Sequence, residues 1–145
     1  TLDITGISWS VILKNVYAIV FGIADELQFG DNMRGYLSVA ALRELDQIVR
    51  TMGGQAGSPY HLAGLGDLIT TATSEDSHHH ELGRMLARGE VRAIKGEGIH
   101  TLDMVERLRL FNTADYPLFQ LIHDIVRQRH DVPEKINDYL KQLYD

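Results

Sequence analysis

Three places in the chain carry side chains able to do chemistry. The first is Lys14-Asn15, near the middle of Ile7–Ala24 (ISWSVILKNVYAIVFGIA), a stretch that is apolar or small on every face and has Lys14 as its only charge. An ammonium group placed among apolar side chains loses hydration, so it needs a partner, a wet cavity or a task. Desolvation favours the uncharged amine, the form that exchanges a proton with a substrate oxygen. The competing reading is a lysine whose long stem snorkels to the edge of a helix bundle.

The second place is GLGDLITT, Gly64 to Thr71. Asp67 lies within apolar sequence, and Thr71 follows one helical turn later on the same face. Asp67 either caps a helix start exposed after two glycines or meets Lys14 across the core. In the second case each charge explains the other, and the pair positions a substrate hydroxyl. The third place is Ser77-His78-His79-His80. Three consecutive histidines cannot all point the same way, so a zinc site would have to recruit His61, His100, His123 or Asp76. The spacing matches no HExxH-type pattern, so no metal is expected and the run reads more simply as a solvated polar helix start. The glycines of MGGQAG and AGLGDL match neither a Walker loop nor a dinucleotide fingerprint after a strand.

The elements that must hold these residues are helical. The first helix is expected from near Ser8 to about Leu27, where QFGDN breaks it. Gly30 suits a positive φ there, and Asp31 or Asn32 suits the next cap. From Asn32 to Met52 the apolar residues Met33, Leu37, Ala40, Ala41, Leu45, Ile48 and Val49 follow i, i+3, i+4 spacing, with Arg and Glu on the other face. Ser58-Pro59 suits a helix start. A short buried helix with apolar residues at 62, 63, 65, 68 and 69 comes next. Further helices are expected over Glu81–Arg88, ended by Gly89, then Thr101–Leu110, Tyr116–Arg129 and a last one opened by Pro133. No segment alternates like a strand. The fold expected is all-α: a single domain, residues 1–145, of about seven helices around a central buried one.

Composition narrows the function classes. With 44% hydrophobic and 23% charged residues the chain is an ordinary globular one. A net charge of −6 without a basic patch argues against nucleic-acid or membrane-surface binding. No cysteine is present, so disulfides, thiolate nucleophiles and cysteine-metal sites are excluded. Ile7–Ala24 approaches the ~20 residues of a membrane span, but Lys14, Asn15, two serines and the missing flanking basic residues argue against one. The start, TLDITGIS, lacks the basic n-region of a signal peptide, which makes a cytoplasmic location the expectation.

LKNVYAIVFGIADELQFGDN (13–32) and AGLGDLITTATS (63–74), followed by ELG at 81–83 and EG at 97–98, resemble in this order the C-terminal domain of NAD(P)-dependent glycerol-3-phosphate dehydrogenase. The resemblance covers nearly the whole chain. It implies a helical substrate domain like that of the 6-phosphogluconate and glycerol-3-phosphate dehydrogenases, partnered by an N-terminal Rossmann domain that is absent from this chain. NAD or NADP would be bound mainly by that domain. The reaction implied is reduction of a phosphorylated triose, dihydroxyacetone phosphate, to sn-glycerol 3-phosphate, a step in glycerol-3-phosphate metabolism and phospholipid biosynthesis. A homodimer is compatible with it. On the matching positions Lys14 is the catalytic lysine. Asn15, Asp67, Thr71, Ser77, His78 and His79 fall at the substrate, and His78, Lys95 and Glu97 fall near the cofactor.

The sequence also departs from the family pattern. Ser77-His78-His79 stands where the family has Ser-Arg-Asn, so a fixed cationic fork and an amide donor are replaced by imidazoles. Losing a charge-assisted phosphate contact costs roughly 1.5–3 kcal/mol. A glycine pair before LKN is Ser10-Val11 here, an acidic residue two positions earlier is Ser8, and Lys95 replaces an apolar residue. Three functions therefore compete: the dehydrogenase, inactive without its Rossmann half; a degenerate homologue kept as a binding or dimerisation module; and the same chemistry on a substrate lacking phosphate. An open pocket around Lys14 and Asp67 favours the enzyme, whereas a pocket filled by Val11 or Trp9 favours the module.

Overall fold

The axis of the molecule is α1 (Ile4–Glu26), onto which the next five α-helices pack while the seventh rests on the sixth and fourth, in a computed structural model that describes residues 2–74, 77–90 and 92–143. Asp76, one of the candidate metal partners, lies outside the described residues. Among the described residues there are helices and turns but no strand, so the fold is all-α.

Helix α1 starts four residues before the expected Ser8, because Asp3 caps it: its Oδ1 accepts the Gly6 N–H at 2.9 Å, and its Oδ2 accepts that of Gln55 at 2.8 Å. From Leu13 to Ala24 the helix is the core, with Leu13, Val16, Tyr17, Ile19, Phe21 and Ile23 fully buried. The preceding turns are different. Leu2, Ile4, Ile7 and Val11 are exposed, at 73%, 66%, 37% and 39%, so the expectation of burial on every face holds only for the second half. By length and hydropathy α1 could cross a membrane, but 61% of that window is buried inside the fold, as the core helix of a bundle must be.

Helix α2 (Gly30–Thr51) begins at Gly30, which takes the expected left-handed φ of +84°. Neither Asp31 nor Asn32 caps it; Phe29 occupies the cap position and Asp31 sits in the first turn, where the helix dipole favours a carboxylate. Leu37, Ala41, Leu45, Ile48 and Val49 form its buried stripe. Glu44 and Asp46 are buried too, against the expectation that the acidic face is solvated. Glu44 accepts hydrogen bonds from the Tyr17 hydroxyl (3.0 Å) and from the Leu118 and Phe119 N–H groups (2.6 and 2.8 Å). It thereby supplies the acceptor that the N-terminus of α6 (Pro117–Arg127) lacks. Burial pushes its carboxyl above the usual range, against those three donors.

Between α2 and the next α-helix the chain makes a 3₁₀ turn (Ser58–Tyr60) and a π turn (Leu62–Gly66), then α3 (Asp67–Thr73). One short buried helix was expected here. Instead Leu62 is 81% and Ile69 48% exposed, and Leu68 and Ala72 are the buried anchors of α3. Gly64 explains the change: a Cβ there would lie 2.0 Å from the Pro59 carbonyl oxygen, so the backbone closes onto itself and the turn widens.

Helix α4 (His78–Ala87) begins three residues before the expected Glu81 and places the histidine run in its first turn. His79 and His80 are 8% and 1% exposed, so this turn is not the solvated start expected. The helix crosses α1 with backbones in contact. A Cβ on Gly22 would sit 1.9 Å from the His80 carbonyl oxygen, and one on Gly83 would sit 2.0 Å from that of Ile19. Helix α5 (Glu97–Leu108) also starts early, at Glu97 rather than Thr101, and α6 and α7 (Val132–Gln142) close the bundle. Half-buried Trp9 on α1 meets Phe111 edge-on at 6.3 Å, and Phe111 in turn contacts Tyr116 and Phe119.

Candidate active site

Fifty-three residues apart in sequence, Lys14 and Asp67 meet: Nζ donates to Oδ2 at 2.9 Å. Asp67 is the first residue of α3 and forms no cap, so its carboxylate serves the lysine rather than its own helix. The two side chains keep 22% and 39% of their exposure. Lys14 is thus held at a seam between the buried and open halves of α1, not sealed among apolar groups as its sequence neighbours suggest. On the far side of Asp67 opens a cavity of about 630 Å³ whose lining includes Asp67, Ile7, Ser58, His61 and Leu62 but not Lys14, which reaches it only through the ion pair. Neither Trp9 nor Val11 lines it.

Thr71 stands one turn beyond Asp67, and its hydroxyl donates to the Asp67 carbonyl at 2.7 Å. This spends the proton and leaves the oxygen as an acceptor. Asn15 does not share that cavity's lining; its Nδ2 donates to Glu97 Oε2 at 2.9 Å, tying α1 to the first turn of α5. The two backbones are close there: a Cβ on Gly98 would lie 2.8 Å from the Asn15 carbonyl oxygen. Ser10 is buried with its hydroxyl donating to the Gly6 carbonyl, and Val11 faces outward.

The histidine run divides its labour. Exposed His78 places Nε2 2.7 Å from the Lys95 carbonyl oxygen. His79 is buried and accepts the Gly98 N–H through Nε2 at 2.8 Å, so it caps α5, whose cap position Gly96 has no side chain to offer. This use of Nε2 fixes the tautomer with hydrogen on Nδ1, which leaves that N–H as the ring's one donor. Ser77 occupies the cap position of α4 without a capping hydrogen bond. Lys95 and Glu97 are exposed on the same rim. Among the described residues no three histidine, aspartate or glutamate side chains converge as metal ligands.

Burial, and then the neighbouring His78, hold the His79 imidazole below its ordinary value of 6.5, while Glu97 pulls the other way. The fold therefore favours the neutral ring. His79 contributes its stability in full above about pH 6.5 and loses it as pH falls below that value, because the unfolded chain takes up the proton first. Between pH 7 and pH 5 the wild-type Tm is expected to fall more than that of His79→Gln. Parallel Tm curves for the two proteins in calorimetry would rule this out.

Two groups that sequence reasoning missed flank this site. Asp25, at the far end of α1, pairs with Arg34 of α2 and accepts from His80 Nε2 at 2.5 Å. Arg34 also donates to the Ala72 carbonyl of α3 at 2.6 Å. A signal was available: residues eleven apart return to within about 20° on a helix, so Asp25 shares a face with Lys14.

Comparison with known proteins shows which family the chain resembles. Residues 3–137 match the family described as NAD-dependent glycerol-3-phosphate dehydrogenase C-terminus. Among relatives, the glycerol-3-phosphate dehydrogenase [NAD(P)+] of Deinococcus radiodurans is 34% identical over 86% of this chain and 39% of its own length. That of Agrobacterium fabrum is 35% identical over 90% and 41%. The chain thus spans about two fifths of the length of the curated relatives it matches. The crystal structure of glycerol-3-phosphate dehydrogenase from Coxiella burnetii superposes with a TM-score of 0.82 at 29% identity, over 97% of this chain and 45% of that one. The Saccharomyces cerevisiae enzyme superposes with a TM-score of 0.77 at 22% identity over 94% and 42%, a likeness of fold.

Proposed function

We propose that this chain, which belongs to the NAD-dependent glycerol-3-phosphate dehydrogenase C-terminal family, is the substrate-binding and proton-transferring part of such a dehydrogenase. Its reaction would be the interconversion of dihydroxyacetone phosphate and sn-glycerol 3-phosphate. The observation that carries this reading is the Lys14–Asp67 ion pair, whose aspartate lines an open cavity. As the C2 carbonyl becomes a hydroxyl, its oxygen gains a proton, and Lys14 Nζ, held on Asp67 at the seam of α1, is the donor this reading assigns. Asp67 orients the ammonium group and balances its charge while substrate is bound. The Thr71 oxygen and the Asn15–Glu97 bridge frame the site on either side of the lysine.

NAD or NADP, held mainly by the Rossmann half, supplies the hydride when bound. The exposed rim of His78, Lys95 and Glu97, where the His78 and His79 rings close on Gly96, is the part of the surface this reading turns toward the cofactor. A cytoplasmic location, work alongside a Rossmann domain and assembly as a homodimer form part of the same proposal.

The reading as a binding module calls for a pocket filled by Val11 or Trp9, and neither residue lines the cavity at Asp67. A substrate lacking phosphate has one observation in its favour, because His79 is committed to α5 and His78 to the Lys95 carbonyl. Thermal-shift screening of phosphate against carboxylate ligands separates the two substrate classes. For the main reading, the full-length protein should consume NADH or NADPH when given dihydroxyacetone phosphate. Absence of turnover with every 2-keto phosphate and keto acid tried would overturn it.

A further inference from the structure

We propose that Arg34 is a positioning residue for the Lys14–Asp67 pair, a role that rests on the dehydrogenase reading given above. Helix α3 has seven residues, from Asp67 to Thr73. Helices this short do not hold together in water, and their last carbonyls lack partners. Only Leu68 and Ala72 anchor α3 by burial, and the π turn before it offers no regular helix to extend. Its placement therefore depends on polar ties at its two ends.

At the N-terminal end the tie is the ion pair itself, Asp67 to Lys14. At the C-terminal end it is Arg34, whose Nη1 donates to the Ala72 carbonyl at 2.6 Å while Nη2 binds Asp25. Asp25 is fixed from the other side by His80, which is 1% exposed and belongs to the helix locked against α1 at Gly22 and Gly83. Both ties therefore lead back to α1, one at Lys14 and one eleven residues further on, about 16 Å along the axis. A guanidinium is suited to this because its arms reach two acceptors at a fixed angle. Arg34 thus sets how α3 lies along α1, and with it the approach of Asp67 and Thr71 to the lysine.

The test uses the full-length protein with Arg34→Ala and Arg34→Lys. The lysine variant keeps the charge but has no fork, so both are expected to fail in the same way. Deuterium uptake by the α3 amides should rise about tenfold or more, with α6 amides unchanged. Turnover with dihydroxyacetone phosphate should fall roughly ten- to a hundredfold in kcat, with KM little altered, as misplacement of a reacting group does. Unchanged α3 exchange overturns the proposal whatever the activity. Faster α3 exchange with full kcat overturns it as well, because Arg34 would then be structural only. If Arg34→Lys restores both readouts, charge and not the fork is responsible, and the proposal fails. A wild-type protein without turnover refutes the dehydrogenase reading itself and with it the positioning role, and unchanged wild-type-like exchange in α3 would still report separately on the tie.

Discussion

Lys14→Ala in the full-length protein is expected to lower kcat by roughly 10²–10⁴-fold, the range by which a positioned acid or base accelerates a reaction. The KM for the ketone should move little, since the proton is needed as the oxygen changes character and less for ground-state binding. Folding should be nearly unaffected. The ion pair with Asp67 is partly open to solvent, at 22% and 39% exposure, and pairs that water screens contribute no more than about 1 kcal/mol. Lys14→Arg sharpens the test, because it preserves the charge opposite Asp67 with a group that does not release its proton in proteins. Steady-state kinetics should find both variants inactive. Wild-type turnover in Lys14→Arg would remove proton transfer from the role of this residue.

The largest effect on stability is expected at the crossing of α1 and α4. In Gly83→Ala the new methyl group meets the Ile19 carbonyl oxygen at 2.0 Å, and in Gly22→Ala it meets that of His80 at 1.9 Å. Both obstacles are backbone, so no rotamer change relieves them and the helices must part. Overpacking of this kind costs up to about 3 kcal/mol and occasionally more, which corresponds to a Tm loss of roughly 6–12 °C for a domain of this size. Gly35→Ala in α2 is the control, since a Cβ there meets nothing within 4 Å. It should leave stability unchanged or raise it by about 0.5–1 kcal/mol. Equal Tm values for Gly83→Ala and Gly35→Ala would contradict the close crossing.

Much of the fold could be read from the chain because helical periodicity is a local property. The stripe of α2 and the apolar run of α1 are where spacing puts them. For Asp67 the sequence left two partners open, its own helix start or Lys14, and the ion pair decides between them. What spacing does not carry is which neighbour a polar residue meets. Glu44 is an instance: it lies on the same stripe as Leu37 and Ala41, seven and three residues back, yet its purpose is set by the N-terminus of α6, seventy-four residues away. His79 is another, since nothing local announces that it accepts the Gly98 N–H. The stretch from Leu62 to Ile69 failed for a different reason. Its apolar residues suggested burial, but Gly64 folds the backbone so tightly against Pro59 that Leu62 and Ile69 turn outward.

The placement of Trp9 has a practical consequence. It is the only tryptophan in the chain, it is half-buried edge-on to Phe111, and it precedes Lys14 by five residues on the same helix. Indole emission depends on how wet its surroundings are, and one face of this ring is at the boundary between core and solvent. The protein therefore carries a single built-in fluorophore about one and a half turns from its proposed proton donor. Closure of any neighbouring surface over that end of α1 would change its colour, which allows ligand binding to be followed optically without a label.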